Sequence, residues 1–230
     1  MSLYYNKEDD VAELGGRRRT VESKVRRHPE RAAYDRGTID AILDEGLVGH
    51  LGFTSGDRPY VLPMLYVRDG DTLYLHGAPA SRLLGTLAGG VPCCFTVTLL
   101  DALVLARSAF HHSLNYRSVV VPGDARGVGD PEEKLVALER LVEHVLPGRS
   151  SEARGPSPSE LKVTEVIALE LDQASAKVRT GPPVDTRADM SLPVWAGELP
   201  LAVTAGDPVP DPGCSAPEPA GLRGYRRGHG

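Results

Sequence analysis

Six short segments rich in β-branched and aromatic residues restrict the fold of this chain more than any other feature. They are residues 47–54, 59–67, 72–77, 91–106, 116–128 and 161–171. The first three are separated by turn-forming sequences, Ser-Gly-Asp-Arg at 55–58 and Asp-Gly-Asp at 69–71. Strands joined by such tight turns pair antiparallel. The pattern therefore predicts an antiparallel meander, in which the fourth segment is two strands or one strand bent near Leu100 and Asp101.

Three short helices are predicted between these strands. Thr38 is the expected cap of the first, which ends at Gly46. The second is expected over residues 79–87, and the third from Asp130 to Pro147, with an acidic first turn after a capping aspartate. Six antiparallel strands with interspersed short helices predict a mainly β (α+β) protein, built as a small closed or half-open β-barrel with helices covering its ends.

The length of 230 residues and the 41% apolar content allow one sizeable core. Residues 1–27 are charged and lack an apolar period, so we expect a mobile N-terminal arm. Residues 206–230 are rich in proline and glycine, and we expect them to be disordered. Residues 28–205 are the expected folded domain.

Charge and hydropathy exclude some classes of partner. A net charge of −5 argues against a dedicated nucleic-acid-binding protein. No segment approaches the roughly 18 apolar residues of a membrane span, and the N-terminus is not a signal peptide. We therefore expect a cytoplasmic protein without a nucleic-acid or membrane partner.

The segment HGAPASRLL, which begins at His76, combines the end of a strand with the start of a helix. Ser81 and Arg82 would lie in the first helical turn, where free N–H groups, a hydroxyl and a guanidinium suit a phosphate. A capped helix with an arginine in solvent fits the same residues, and both interpretations stay open. In the preceding strand VLPMLYV, Leu62, Met64 and Tyr66 share one face.

These segments, taken in order, resemble the pyridoxamine 5'-phosphate oxidase-like family, and within it the flavin-nucleotide-binding, nitroimidazole-resistance-type branch. The resemblance is carried by HPERAAYDRGTIDAILDEGLVGHLGF, PYVLPMLYV, LYLHGAPASRLL and SAFHHSLNYRSVVVPGDARGV, and by the late segments SAKVRTGPPVD and LPVWAG. It implies a split β-barrel homodimer that binds FMN at the subunit interface. The implied activity is that of an FMN-dependent oxidoreductase, more specifically a reductase, acting on a small organic substrate.

The resemblance also implies which residues contact the cofactor. Pro63, Met64 and Leu65 match the strand along the isoalloxazine ring, and Ser81 with Arg82 matches the pair that holds the FMN phosphate. The polar residues of a later strand, which reach the other edge of the flavin, correspond to Tyr116, Arg117 and Ser118. His76 matches a histidine beside the flavin and is the candidate for substrate contact or proton donation, and a half-buried structural histidine is the alternative.

The stretch around His111 and His112 raises the question of a metal site or a nucleophile. Adjacent residues of a strand face opposite ways and no third ligand is near in sequence, which argues against a metal. Ser113 is not on a nucleophile elbow, which argues against a hydrolase. We interpret the stretch as the mouth of the cofactor pocket, with His112 as the second candidate catalytic residue. The alternative is a histidine pair in solvent together with the strand arginine, Arg117, in an ion pair.

The chain also departs from the vitamin-processing oxidases of the family. Their strands are richer in arginine, whereas this chain has Leu-Pro-Met at 62–64 and Ser-Val-Val at 118–120, which argues against oxidation of pyridoxamine phosphate. Relatives of the fold bind haem through one histidine, so a haem-binding enzyme or haem-handling protein is an alternative. A non-catalytic flavin-binding protein and a deazaflavin cofactor are also compatible with the sequence. The candidate axial ligands of a haem are His50, His76, His111 and His112.

Overall fold

The structure is a computed structural model that describes residues 23–77 and 85–227 and, as backbone only, residues 13–14, 17–18 and 82–84. The strands are β1 (Glu13–Leu14), β2 (Arg17–Arg18), β3 (Ala32–Ala33), β4 (Val48–Ser55), β5 (Arg58–Asp69), β6 (Thr72–Gly77), β7 (Pro92–Leu105), β8 (Ser113–Asp124), β9 (Arg126–Gly127), β10 (Glu165–Glu170), β11 (Ser175–Arg179) and β12 (Gly197–Pro200). The helices are α1 (Arg36–Glu45), α2 (Arg82–Ala88), α3 (Pro131–Val145), α4 (Arg149–Glu152) and α5 (Pro158–Lys162).

One antiparallel sheet organises the described part of the chain. It has ten strands, in the order β3-β11-β8-β7-β4-β5-β6-β10-β9, with β12 paired to β7. Strand β9 continues the direction of β8 after Ala125 and pairs with β10, so the sheet closes on itself. The closed part consists of β4, β5, β6, β7, β8 with β9, and β10. The predicted antiparallel barrel is confirmed.

The number of strands is larger than the six that we expected. Strands β3, β11 and β12 extend the sheet beyond the closed barrel, on the outer edges of β8 and β7. The expected strand over residues 161–171 begins only at Glu165. Residues 158–162 form helix α5 instead, because Ser157 and Glu160 make a reciprocal capping box at its N-terminus.

Helix α1 begins earlier than the sequence predicts. Asp35 is its N-cap, and the Asp35 carboxylate accepts a hydrogen bond from the Thr38 backbone N–H at 2.8 Å. The predicted cap, Thr38, therefore lies at the third helical position. Asp130 caps α3 as predicted, with its carboxylate accepting from the N–H groups of Glu132 and Glu133.

A bulge interrupts the long hairpin of β7 and β8. Leu100 pairs with Tyr116 and Ala102 pairs with Asn115, so β7 carries one extra residue, Asp101. The fourth segment is thus one strand with an irregularity where the bend was expected. Beyond the bulge, β12, β7 and β8 form a three-stranded extension of the barrel, which we call the wing.

The barrel interior is packed around aromatic side chains. The Tyr66 and Phe95 rings meet edge to face with centroids 5.0 Å apart, and both side chains are fully buried. The Tyr66 hydroxyl donates to the Leu43 carbonyl at 2.6 Å, which ties α1 to the barrel. Gly49 lies against the Phe95 ring so closely that a side chain there would overlap the ring.

The C-terminal tail, which composition predicts to be disordered, is described as far as Arg227. Most of it lies exposed on the surface. Its end contacts the helices: the Tyr225 hydroxyl donates to the Val145 carbonyl at 2.8 Å, and Arg227 donates to the carbonyls of Asp44, Glu45 and Gly46 at 3.2 to 3.3 Å. Helix α1 ends at these carbonyls, which have no partner inside the helix.

None of the helices in the described ranges has both the length and the apolar composition needed to cross a membrane.

Gly49→Ala tests the packing of β4 on the core. We expect the free energy of unfolding to fall by about 1 to 3 kcal/mol, because the added methyl group must displace the Phe95 ring. Gly52→Ala, three residues along the same strand, is the control, since its methyl group would meet nothing nearer than 3.6 Å. Urea denaturation at equal protein concentration measures both, and equal midpoints for the two variants would contradict this packing.

Candidate functional site

The candidate site lies on the outer surface of the barrel. Paired residues of antiparallel strands share a face, and His50 pairs with both Pro63 on β5 and Thr96 on β7. Thr96 in turn pairs with Val120 on β8. These positions alternate with the buried core residues of the same strands, so they point away from the barrel interior. We call this surface of β4, β5, β7 and β8 the outer face.

The outer face is apolar and open at β5. Val61 is 64% exposed and Leu65 is 40% exposed, and Pro63 between them is also exposed. Of the three predicted ring contacts, Pro63 and Leu65 therefore lie on the open surface. Met64 points the other way and packs against the core beside Leu62, as the predicted shared face of Leu62, Met64 and Tyr66 requires. A flat ring on this strand would meet Pro63 and Leu65, and Met64 would support the strand from below.

His76 lies at the end of β6, next to the edge of this surface. His76 pairs with Val166 on β10. The residue before it, Leu75, pairs with Tyr66 on β5. The ring is half-buried, and its Nδ1 atom is buried without a hydrogen-bond partner in the described structure. Burial holds the pKa of His76 below its usual value. A buried ring nitrogen without a partner is costly for folding, which makes His76 a candidate for contact with a ligand.

The turn after His76 carries the predicted phosphate contacts. Ser81 lies outside the described residues, and only the backbone of Arg82 is described, at the start of α2. Helix α2 packs against β10, β9 and β4. The phosphate contact through Ser81 and Arg82 therefore stays a prediction.

Strand β8 separates Tyr116, Arg117 and Ser118 onto two faces. Tyr116 and Ser118 lie on the outer face with Val120, because they alternate with the buried Val119. The Ser118 hydroxyl donates to the Lys177 carbonyl at 3.3 Å. Arg117 faces the other way, toward α1 and the bulge.

Arg117 lies in an ion-pair network behind the outer face. Its guanidinium donates to the Asp101 carboxylate at 2.8 to 3.2 Å and forms a two-point ion pair with Glu45, at 2.8 Å for Nη2. These two carboxylates raise the pKa of the guanidinium further above its usual value. The resemblance could not reveal this, because the two carboxylates come from α1 and from the bulge, distant in sequence. Arg117 joins the helix, the bulge and β8, and each of its three guanidinium nitrogens donates to a carboxylate.

The remaining histidines differ from His76 in their surroundings. His50 is exposed at the middle of the outer face. The His112 Nδ1 atom lies 3.0 Å from the Ser108 carbonyl, and His111 stands edge-on to the exposed Phe110 ring at 5.2 Å. His111 and His112 are in the loop between β7 and β8, at the tip of the wing. In residues 23–77 and 85–227, no three His, Cys, Asp or Glu side chains converge as a metal site would require.

A pocket of about 640 Å³ lies elsewhere, between the C-terminal tail and the ends of α1 and α3. Its acidic side chains already have partners: Asp44 pairs with Arg68, Glu45 with Arg117, and Glu143 with Ser150. The tail forms one wall of this pocket and the acidic groups of the other wall are paired, so the outer face is the better candidate site.

Comparisons with known proteins agree with a split barrel. The chain is similar to the structure of the flavocytochrome Anf3 from Azotobacter vinelandii, with 37% identity, a TM-score of 0.85, and coverage of 91% of this chain and 98% of that one. It is similar to the FAD and haem binding protein from Mycobacterium smegmatis, with 32% identity, a TM-score of 0.81, and coverage of 86% and 98%. No match was found among the curated proteins.

A third similar structure is a candidate 5-nitroimidazole antibiotic resistance protein from Bacteroides thetaiotaomicron. It is 25% identical, with a TM-score of 0.54 and coverage of 64% of this chain and 86% of that one. The family model for pyridoxamine 5'-phosphate oxidase matches residues 35–178. This chain therefore belongs to the pyridoxamine 5'-phosphate oxidase family, as its sequence motifs predict.

Arg117→Met tests whether this arginine is structural. We expect the free energy of unfolding to fall by about 1.5 to 3 kcal/mol, because two partly buried carboxylates lose their partner. The amount of cofactor retained per folded molecule should not change. Arg154→Met is the control, since its ion pair with Glu160 is exposed to solvent and should contribute little to stability. Loss of cofactor without loss of stability would instead support the predicted cofactor contact of Arg117.

His76 should make the stability of the cofactor-free protein depend on pH. Its pKa is lowered in the folded state, so the unfolded chain binds the proton more tightly. Stability should therefore be highest above the unfolded pKa of about 6.5 and should fall as the pH drops from 7 toward 5. His76→Gln should reduce this loss, measured by urea denaturation at both pH values, and His112→Gln is the exposed control. His144 acts in the same direction, so part of the loss should remain.

Proposed function

We propose that this protein is a flavin-dependent oxidoreductase whose flavin ring lies on the outer face of β5. The observation that supports this most directly is the open apolar strand at Pro63 and Leu65, bordered by the half-buried ring of His76. A flat apolar wall with a few polar groups at its edge suits an aromatic ring system. The two relatives above 30% identity are described as a flavocytochrome and as an FAD and haem binding protein, which supports a flavin.

The residues present fit a flavin nucleotide. The outer face offers apolar side chains, and at Gly52 it leaves space where a side chain could stand. We assign the phosphate to Ser81 and Arg82 and the far edge of the ring to Tyr116 and Ser118. A bound flavin supplies two-electron chemistry, which no amino-acid side chain provides.

His76 is the residue that we assign to proton transfer. Its lowered pKa keeps the ring neutral near pH 7, and a neutral imidazole can accept a proton on one nitrogen and donate from the other. The ring would hold or donate a proton at the edge of the flavin site. His112, at the exposed tip of the wing, is a weaker candidate because its Nδ1 atom already lies 3.0 Å from a backbone carbonyl.

The reaction that we propose is reduction of a small organic substrate. The outer face lacks the arginine-rich pattern of the vitamin-processing oxidases, so pyridoxamine phosphate is not the proposed substrate. FMN is the cofactor that the family motifs favour, and FAD is the flavin named for one of the two relatives above 30% identity.

A haem held by His76 in addition to the flavin is the second candidate function. It is favoured by the buried His76 Nδ1 atom that has no partner and by the description of two relatives as haem or cytochrome proteins. Among the other candidate ligands, His50 is exposed, and His111 and His112 lie at the tip of the wing. A single histidine is a sufficient protein ligand for a haem iron.

We further propose a homodimer located in the cytoplasm. An exposed apolar sheet face is unusual for a monomer and suits a symmetric partner. Cys93, Cys94 and Cys214 are free thiols, which fits a reducing compartment.

The absorption spectrum of the purified protein, with identification of the chromophore released on denaturation, tests these proposals. Flavin bands with released FMN or FAD are expected. An added Soret band that is lost in His76→Ala and kept in His112→Ala would support the haem ligand. A deazaflavin would be recognised by its released chromophore, and bound flavin that no substrate reoxidises would indicate a non-catalytic flavin protein. A protein that takes up no flavin would contradict the proposal.

Arg82→Ala tests the phosphate assignment separately. We expect flavin affinity to fall by about 1.5 to 3 kcal/mol, the range of a hydrogen bond to a charged group. Arg154→Ala, which changes an arginine remote from α2 in sequence and paired with Glu160, is the control. Titration of the cofactor-free variants with flavin measures the change, and equal affinities would contradict the assignment.

A further inference from the structure

Residues 23–31, which we call the basic segment, carry charge of the opposite sign to the rest of the chain. The segment has four basic side chains and one acidic one, a net charge of +3, and since the whole chain carries −5, the remaining residues carry −8. The basic residues are Lys24, Arg26, Arg27 and Arg31. A local charge opposite in sign to that of the whole molecule directs an acidic partner to one place on its surface.

The backbone of the basic segment is held against the folded domain. The Val25 N–H donates to the Tyr34 hydroxyl at 2.9 Å, and the Arg27 carbonyl accepts from the Lys177 ammonium at 2.8 Å. Because these contacts use backbone groups of the segment, the side chains of Arg26 and Arg27 stay exposed. The two charges are thus presented to solvent from an anchored backbone.

The two exposed arginines are available to an external partner. In the part of the chain whose side chains are described, neither Arg26 nor Arg27 has an ion-pair partner. The single acidic residue of the segment, Glu30, is engaged locally: its carboxylate lies 3.0 Å from the His28 ring and 3.6 Å from the Arg31 guanidinium. Both free guanidinium groups can therefore pair with carboxylates of another molecule.

The backbone is strained directly after these arginines. His28 has φ 56° and ψ 60°, and among the described residues it is the one non-glycine residue with a positive φ. The left-handed conformation is costly for a residue with a side chain, and such strain is found where a function needs the geometry. The turn at His28 therefore points to a function for the segment that it ends.

The basic segment borders the outer face. Lys177 on β11 pairs with Ser118 on β8 and with Ala32 on β3, and paired residues share a face. Lys177 therefore lies on the outer face, and its contact with the Arg27 carbonyl brings the segment there. Since neighbouring strands are about 4.8 Å apart, the segment lies roughly 10 Å from Ser118, where we place the far edge of the flavin.

We propose that the basic segment is the docking surface for a small acidic electron-carrier protein, which supplies the electrons of the proposed reductase. This inference rests on the proposed flavin-dependent function. Two one-electron carriers are oxidised in turn, and their two electrons, with two protons from water, reduce one flavin. Arg26 and Arg27 precede His28, where the family resemblance begins, and lie outside residues 35–178, so the surface is not inherited from the family match.

The charge distribution favours an acidic protein over a nucleic acid. Encounters between electron-transfer proteins need only a small contact area, and opposite charges raise their association rate. A nucleic acid is a long polyanion, and the −8 carried by the rest of the chain would repel it on either side of the segment. A small acidic protein meets the basic segment alone.

Arg26→Gln combined with Arg27→Gln tests the docking surface. The probe is an acidic plant-type 2Fe–2S ferredoxin, a one-electron carrier of low potential. In titrations at low ionic strength, the Kd of the double variant should be about five-fold above that of the wild type, the effect of two exposed ion pairs. The wild-type affinity should also fall as salt is added. No binding by the wild-type protein, or equal Kd values for the two proteins, would overturn the inference.

The matched control is Arg149→Gln combined with Arg154→Gln. It removes the same charge from arginines that are paired with Glu152 and Glu160, so its Kd should stay near the wild-type value. An equal loss of affinity in both double variants would trace the effect to net charge and overturn the docking surface. A DNA duplex that binds more tightly than the ferredoxin, and loses affinity in the Arg26 and Arg27 variant, would overturn the assignment to a protein partner.

Reduction of the flavin-loaded protein separates docking from the cofactor site. Reduced ferredoxin, at a concentration below its Kd, should reduce the Arg26 and Arg27 variant about five-fold more slowly than the wild type. Dithionite, which needs no docking, should reduce both at equal rates. Equal slowing with both reductants would place the arginines in the cofactor site and overturn the inference. A protein that binds the ferredoxin but takes up no flavin would overturn the proposed function and leave the docking surface supported.

Discussion

The contact between Gly49 and the Phe95 ring is the constraint on which the rest of the barrel depends. It allows β4 to lie flat against the core, where Phe95 meets Tyr66 edge to face. The Tyr66 hydroxyl then fixes the C-terminal end of α1 through the Leu43 carbonyl. The close approach of β4 also determines which side chains point inward. Val48 and His50, the residues on either side of Gly49, therefore point outward. The packing of the interior thus defines the surface on which we place the cofactor.

The charged network around Arg117 also fixes the C-terminal end of α1, and it joins this end to the bulge and β8. A guanidinium between two carboxylates satisfies all three groups only when α1, the bulge and β8 are in place together. Such a network favours one arrangement of these elements, although its net contribution to stability is modest for groups that remain partly in water. The outer face has no comparable network between β5 and β8. Polar contacts thus order the inner side of β8, and the apolar side chains on the outer side stay exposed.

Most of the fold could be predicted from the sequence, because strand alternation, the Asp-Gly turns and the cap at Asp130 are local signals. The sequence alone places the start of α1 three residues too late, at Thr38. Asp35 and Thr38 are both good caps, and only the backbone geometry decides between them. The family motifs point to β5 and His76 as parts of the site, but they cannot show that Met64 and Arg117 face away from the outer face. That distinction depends on strand register and on partners distant in sequence.

The bulge at Asp101 has a consequence for how the wing tolerates a change in chain length. Leu100 faces outward and Ala102 faces inward, as two consecutive residues of a regular strand would, so Asp101 is the residue that the alternation of β7 passes over. Deletion of Asp101 would therefore leave Leu103 on the outer face and Val104 on the inner one, and the barrel core before the bulge would keep its register. The residue lost would be a carboxylate partner of Arg117. The extra residue thus serves the ion-pair network that holds α1 to β8, and the apolar surface of the wing does not depend on it.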